Sequence, residues 1–111
     1  MNIQIFGSKK SNDSKKAERW FKERRIKFQY IDLYDKGLSL GEYRSVKAAV
    51  GFETLVDTQC DAYEDLGLQY VPPQAVDARI ADCPAVLRAP IVRNGKQATV
   101  GYCPEIWKDW E

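Results

Sequence analysis

The sequence predicts an α/β fold: a mixed four-stranded sheet with helices on both faces and a helical segment inserted between its halves. Three observations predict it. The run NIQIF leads into a stretch with helical spacing and then into a second apolar run, KFQYIDL, which is a β-α-β opening. Near the other end, PIVRNGKQATVGY places two short apolar runs around Asn94-Gly95, the strongest short-range hairpin signal. Between them, residues 39–82 carry helix starts and stops and little strand pattern.

The elements follow in order. Asn2–Phe6 alternates, with Ile3 and Ile5 on one face, as a half-buried strand does. Asp13 to Arg25 has Ala17, Trp20, Phe21 and Arg24 at helical spacing. Lys27–Leu33 is rich in aromatic and β-branched residues, and the turn residues DKG end it. Ser39 and Glu42 form an S-x-x-E capping box, which starts a helix that runs to about Val50 and stops at Gly51. Short helical turns follow at Phe52–Val56 and Asp61–Leu66, the latter stopped by Gly67. VPPQ is a loop and Gln74–Ala81 a short helix. Pro104 suits the first position of a last helix, with Glu105 in its first turn.

One crossover helix between strands 1 and 2 makes them parallel with a right-handed connection, and the closing hairpin adds two antiparallel strands. That is the thioredoxin-like layout. A chain of 111 residues suffices for one domain, residues 1–111, with the helical insertion at about 39–82. Hydrophobic residues at 44% supply a core, and charged residues at 30% supply a soluble surface.

Composition excludes several function classes. A net charge of +1 argues against direct nucleic-acid binding. No apolar run approaches the ~18 residues of a membrane helix, and no signal-peptide core follows Met1, so a cytoplasmic location is expected. Cys60, Cys83 and Cys103 make no C-x-x-C and no zinc spacing. With no histidine in the chain, Ser-His and Cys-His catalysis are absent, and no metal or other cofactor is expected. Residues 1–30 carry nine Lys/Arg against three Asp/Glu, so the first helix presents a basic face. Such a face is either solvated surface or an attractor of an anionic partner.

Four stretches together resemble the ArsC-type arsenate reductases and their relatives, among them the Spx-like regulators. IQIFGSKKSNDSKKAERWF is similar to the family's strand, loop and C-x-x-[CST]-[KR]-K-A helix start. GFETLVDTQCDAYEDLGL is similar to its middle segment, LRAPIV to L-x-R-P-I-V, and NGKQATVGYCPEIW to its closing hairpin and helix. The resemblance is strongest to a subgroup of ArsC-family (seleno)proteins whose nucleophile is cysteine or selenocysteine. It implies a thiol- or selenol-dependent oxidoreductase scaffold, with glutathione, a thioredoxin-like reductant or a protein as partner.

The departures from the pattern matter as much. By the resemblance, Ser11 occupies the position of the redox cysteine and Ser14 the fourth position, so C-x-x-C becomes S-x-x-S. Ala89 stands where the proline-loop arginine would be, with Arg88 beside it. Cys103 replaces the arginine before the last helix's proline, and Gln59 stands at the counterpart of the remaining anion-binding arginine. The resemblance therefore implies a chain without nucleophile or arginine cradle, in which arsenate reduction is not expected.

The residues of the implied site are Ser11, Cys103 as a resolving thiol, and Lys10, Ser14, Lys15, Arg88 and Pro90 around a substrate. A sulfur at a helix N-terminus is activated because unpaired N–H groups and the dipole favour the thiolate, and Lys9, Lys10, Lys15 and Lys16 would add to that. A serine hydroxyl stays protonated near neutral pH, so Ser11 as it stands reads first as a helix cap or polar loop residue. Cys103, before a helix start, is expected to have a lowered pKa if it is the resolving thiol, or to be only a small capping residue. Cys60 and Cys83 are expected to be buried and inert. Pro90 is expected to be a cis proline opposite the redox loop, as in thioredoxin-like proteins; the bland alternative is a trans proline opening an edge strand. Trp107 and Trp110 at i, i+3 are expected to pack, as are Tyr63, Leu66 and Leu68. Three functions compete: a reductase silenced at position 11, a redox-inactive Spx-like regulator that docks on transcription machinery, and a glutathione-linked, glutaredoxin-like activity.

Overall fold

The computed structural model describes residues 2–110. The first strand, β1 (Ile3–Gly7), is followed by helix α1 (Asn12–Glu23) and strand β2 (Phe28–Asp32). The inserted segment holds α2 (Leu40–Val50), α3 (Phe52–Leu55), α4 (Asp61–Asp65) and α5 (Val76–Ala81), with short 3-10 turns at Leu68–Tyr70, Pro73–Ala75 and Pro84–Val86. The hairpin strands β3 (Ile91–Asn94) and β4 (Gln97–Val100) and helix α6 (Pro104–Trp107) close the chain. The sheet order is β2-β1-β3-β4. β1 runs parallel to β2, and β3 is antiparallel to both β1 and β4, as the sequence predicts.

Period-2 alternation sends β1 to two cores. Ile3 and Ile5, with Val92 of β3, face α1 and α6 and pack on Ala17, Trp20, Phe21 and Trp107. Phe6 and Ile91 face the inserted segment and pack on Tyr43, Val46, Leu55, Ile80 and Val86. Trp107 is fully buried, and its indole N–H donates to Thr99 Oγ1 at 2.8 Å, so its one polar atom is satisfied. Trp110 packs half-buried on the same cluster, and Tyr63, Leu66 and Leu68 pack on the other.

The Ser39 capping box is present in both halves: Ser39 Oγ accepts from Glu42 N–H at 3.1 Å, and Glu42 Oε1 accepts from Ser39 N–H at 2.9 Å. Gly51 ends α2 at φ 88°, a conformation that disfavours other residues. Helix α1 stops two residues short of the predicted Arg25, for a reason that composition hides. Arg25 takes a left-handed φ of 57°, its N–H donates to Lys22 O, and Ile26 N–H reaches back to Phe21 O, each at 3.0 Å. This is a Schellman stop made without glycine, closed by Ile26 packing on the Phe21 cluster.

The Ala89–Pro90 bond is cis, as expected. Pro90 is buried and its carbonyl accepts from Gly101 N–H at 2.8 Å, which ties the start of β3 to the end of β4. No helix among the described residues is long and apolar enough to cross a membrane.

Candidate functional site

The loop between β1 and α1 is held by three serines at a spacing of three, Ser8, Ser11 and Ser14. Ser11 is the N-cap of α1: its Oγ accepts from Ser14 N–H at 3.1 Å, and its own N–H donates to Ser8 O at 3.0 Å. Ser14 is fully buried, and its Oγ accepts from Ser8 N–H at 3.2 Å. Ser8, 6% exposed, accepts from Lys10 N–H through its Oγ at 3.2 Å. The loop is thus locked to the helix by side chains. Ser14 is a latch beneath the surface, which corrects its expected place against a substrate: a hydroxyl with no exposed area cannot touch a ligand. Ser8 was missed by sequence reasoning, although the S-x-x-S-x-x-S spacing was there to find it.

Lys9, Lys10, Lys15 and Lys16 are exposed around this loop. Ser8, Lys9 and Lys10 line a crevice of about 320 Å³ with Asp32 and Tyr34, at the carboxyl ends of β1 and β2. A second cleft, about 570 Å³, lies between the first turn of α1, α3, the segment before β3 and the end of β4. Asp13, Glu53, Thr54, Arg88, Ala89 and Val100 line it. Arg88 is exposed and approaches Asp57 at 3.9 Å, so its charge is already shared with a carboxylate. The structure thus brings Lys10 to one crevice and Arg88 to the other, while Lys15 stays on the outer surface of α1 and Pro90 is buried.

Cys103 is the N-cap residue of α6 and half-buried against the Trp20–Trp107 cluster. Its Sγ donates to Val100 O at 3.4 Å. Burial pushes its pKa up, with Glu105 and Asp13 adding to the rise and a hydrogen bond with Thr99 opposing it. This overturns the expectation of a lowered pKa. Helix α6 is only four residues long and makes no side-chain cap bond, so it offers the sulfur little positive field against that desolvation. Cys60 and Cys83 also depart from expectation. Both are half-buried instead of fully buried, and both thiols are free. Among the described residues, no three His, Cys, Asp or Glu side chains gather as a metal site.

A thioredoxin-like sheet, a cis proline opening β3, a serine-capped helix start after β1 and a helical insertion define a class, and comparison with known proteins fills it. The model of the ArsC family matches residues 6–110, so the chain belongs to the ArsC family. It is 26% identical to the global transcriptional regulator Spx of Staphylococcus haemolyticus over 104 residues, 90% of this chain and 79% of that protein. Its fold is similar to that of an arsenate reductase from Vibrio cholerae, with a TM-score of 0.80 and 22% identity over 98% of this chain and 97% of that one. The glutaredoxin-like NrdH-redoxin of Escherichia coli is more distant, with a TM-score of 0.54 and 14% identity, covering 100% of this chain and 96% of that one.

Proposed function

We propose that this chain is a member of the ArsC family that is catalytically silent at position 11 and acts by binding a protein partner, as a regulator of the Spx kind would. One observation carries the reading: the hydroxyl at position 11 is engaged as the cap of α1, accepting from Ser14 N–H at 3.1 Å. A serine there becomes a nucleophile only with a base to take its proton; the chain has no histidine, and the hydrogen bond at Ser11 Oγ is with Ser14 N–H and not with a lysine. The surroundings support the same reading. The cleft beside the first turn of α1 carries Asp13 and Glu53, and Arg88 is paired with Asp57. An oxyanion such as arsenate, which needs a convergence of donors, meets two carboxylates there instead.

The Spx relatives are named for transcriptional regulation, and we extend that role to this chain as the function its silent site permits. The experiment has two arms. Purified RNA polymerase is titrated onto the immobilised protein, and arsenate turnover is followed with glutathione and with thioredoxin as donor. Saturable binding without turnover supports the reading. Turnover above a no-protein control overturns silence at position 11, and absence of polymerase binding overturns the regulatory role.

A further inference from the structure

The two cysteines of the inserted segment are brought back to a single hydrogen bond. An isolated antiparallel bridge pairs Val56 with Leu87. It is flanked by Asp57 N–H donating to Val86 O at 2.8 Å and Arg88 N–H donating to Leu55 O at 2.9 Å. Cys60 lies four residues after Val56, and Cys83 lies four residues before Leu87. Beyond the bridge both chains curl back. Asp57 Oδ1 accepts from Gln59 N–H at 3.0 Å, and Cys60 Sγ donates to Asp57 O at 3.2 Å. On the other chain, Val86 N–H donates to Cys83 O at 3.1 Å. Cys60 is thus bonded to Asp57, Cys83 to Val86, and Asp57 to Val86.

Packing agrees with this placement. Cys60 heads α4, Cys83 heads the Pro84–Val86 turn, and those two elements touch. Both side chains lie half-exposed against the same apolar cluster. Cys60 also lines an open cleft of about 450 Å³ with Thr58, Gln59 and Tyr63, through which a small oxidant can reach it. Cys103 belongs to the cluster on the other face of the sheet.

We propose that Cys60 and Cys83 are an oxidation-sensitive pair that closes into a disulfide across the Val56–Leu87 bridge, with a peroxide as oxidant. One thiol gives up its proton and the thiolate attacks a peroxide oxygen; the O–O bond breaks, the sulfur keeps the near OH as a sulfenic acid, and the departing hydroxide takes up the released proton to give water. The second thiolate attacks the sulfenic sulfur, the S–S bond forms, and the departing hydroxide takes a proton to give a second water. The two sulfurs lose two electrons and the peroxide gains them. The link closes residues 61–82 into a loop and fixes Asp57, the residue paired with Arg88 at the edge of the cleft beside α1.

The full chain is treated with hydrogen peroxide, and its intact mass and peptide map are read without reduction. The expected result is a monomer lighter by two hydrogens, with one 60–83 link that is reversed by dithiothreitol and kept in Cys103→Ser. Cys60→Ser and Cys83→Ser should each abolish the loss. As a check that needs no variant, the reduced wild-type protein should become fluorescent with dibromobimane, which lights up when it spans two nearby thiols, and the label should map to 60 and 83. A link involving Cys103, disulfide-bonded dimers, or oxygen adducts on separate cysteines without a link would overturn the proposal.

Discussion

At the scale of single residues, the account turns on what a hydroxyl does at a helix start. Ser11 and Ser14 look alike in the sequence and do different work. Ser11 caps from a partly exposed position, so Ser11→Ala should cost about 1 kcal/mol, a cap's ordinary worth. Ser14→Ala leaves Ser8 N–H buried without its acceptor and should cost about 1–3 kcal/mol, the larger of the two. Urea unfolding of the two variants checks the order. Tyr43 makes the opposite case. Its side chain is fully buried and its hydroxyl has no partner among the described residues, and burial, with Asp77 second, pushes its pKa up to about 12. A tyrosine whose folded pKa is raised contributes stability below its ordinary value of about 10, and loses it as pH climbs from there through about 12. Because the buried hydroxyl has no partner among the described residues, Tyr43→Phe should leave stability at pH 7 unchanged or higher by ~1 kcal/mol. It should also flatten the fall in denaturation midpoint above pH 10, which a urea series across pH 7–12 would show.

At the scale of elements, the sequence showed most of what the structure holds where local chemistry decides. Asn94-Gly95, the Ser39–Glu42 box, Gly51 and Pro104 each specify a turn or a helix end by backbone need, and each stands where predicted. The end of α1 was hidden, because Arg25 adopts the left-handed conformation without being glycine, in a turn held by two backbone hydrogen bonds and by Ile26 packing on the Phe21 cluster. That strain gives a prediction. Arg25→Gly should raise stability by about 1 kcal/mol, because glycine pays no Cβ penalty there. Thermal or urea midpoints measure it, and a loss of stability would mean that the arginine side chain holds the turn. The cysteines were misjudged for the same kind of reason. Whether Cys60 and Cys83 are buried, and how Cys103 titrates, depends on packing between elements far apart in sequence, and no local pattern encodes it.

At the scale of the whole molecule, one sheet separates two cores of different character. The face carrying α1 and α6 is aromatic, with Trp20, Phe21, Phe28 and Trp107 in edge and tilted contacts at 4.8–6.2 Å. The other face is built from the inserted segment and mostly aliphatic side chains. The candidate site lies where α1, α3 and the ends of the sheet strands meet, and the sequence located its loop but not its polarity. The lysines and Asp13 were legible beside position 11; the carboxylate of Glu53 across the cleft was not, because α3 reaches that place only in the folded chain. The chain presents a helix start whose N–H groups would stabilise a thiolate, and holds the Ser11 hydroxyl there. The most direct measurement is therefore reduction of hydroxyethyl disulfide by glutathione, run side by side with the wild-type protein and Ser11→Cys. The account predicts wild-type rates indistinguishable from the no-protein control, and turnover by Ser11→Cys whose new thiol alkylates with a pKa below the free value of about 8.5. Wild-type turnover above the control would contradict it.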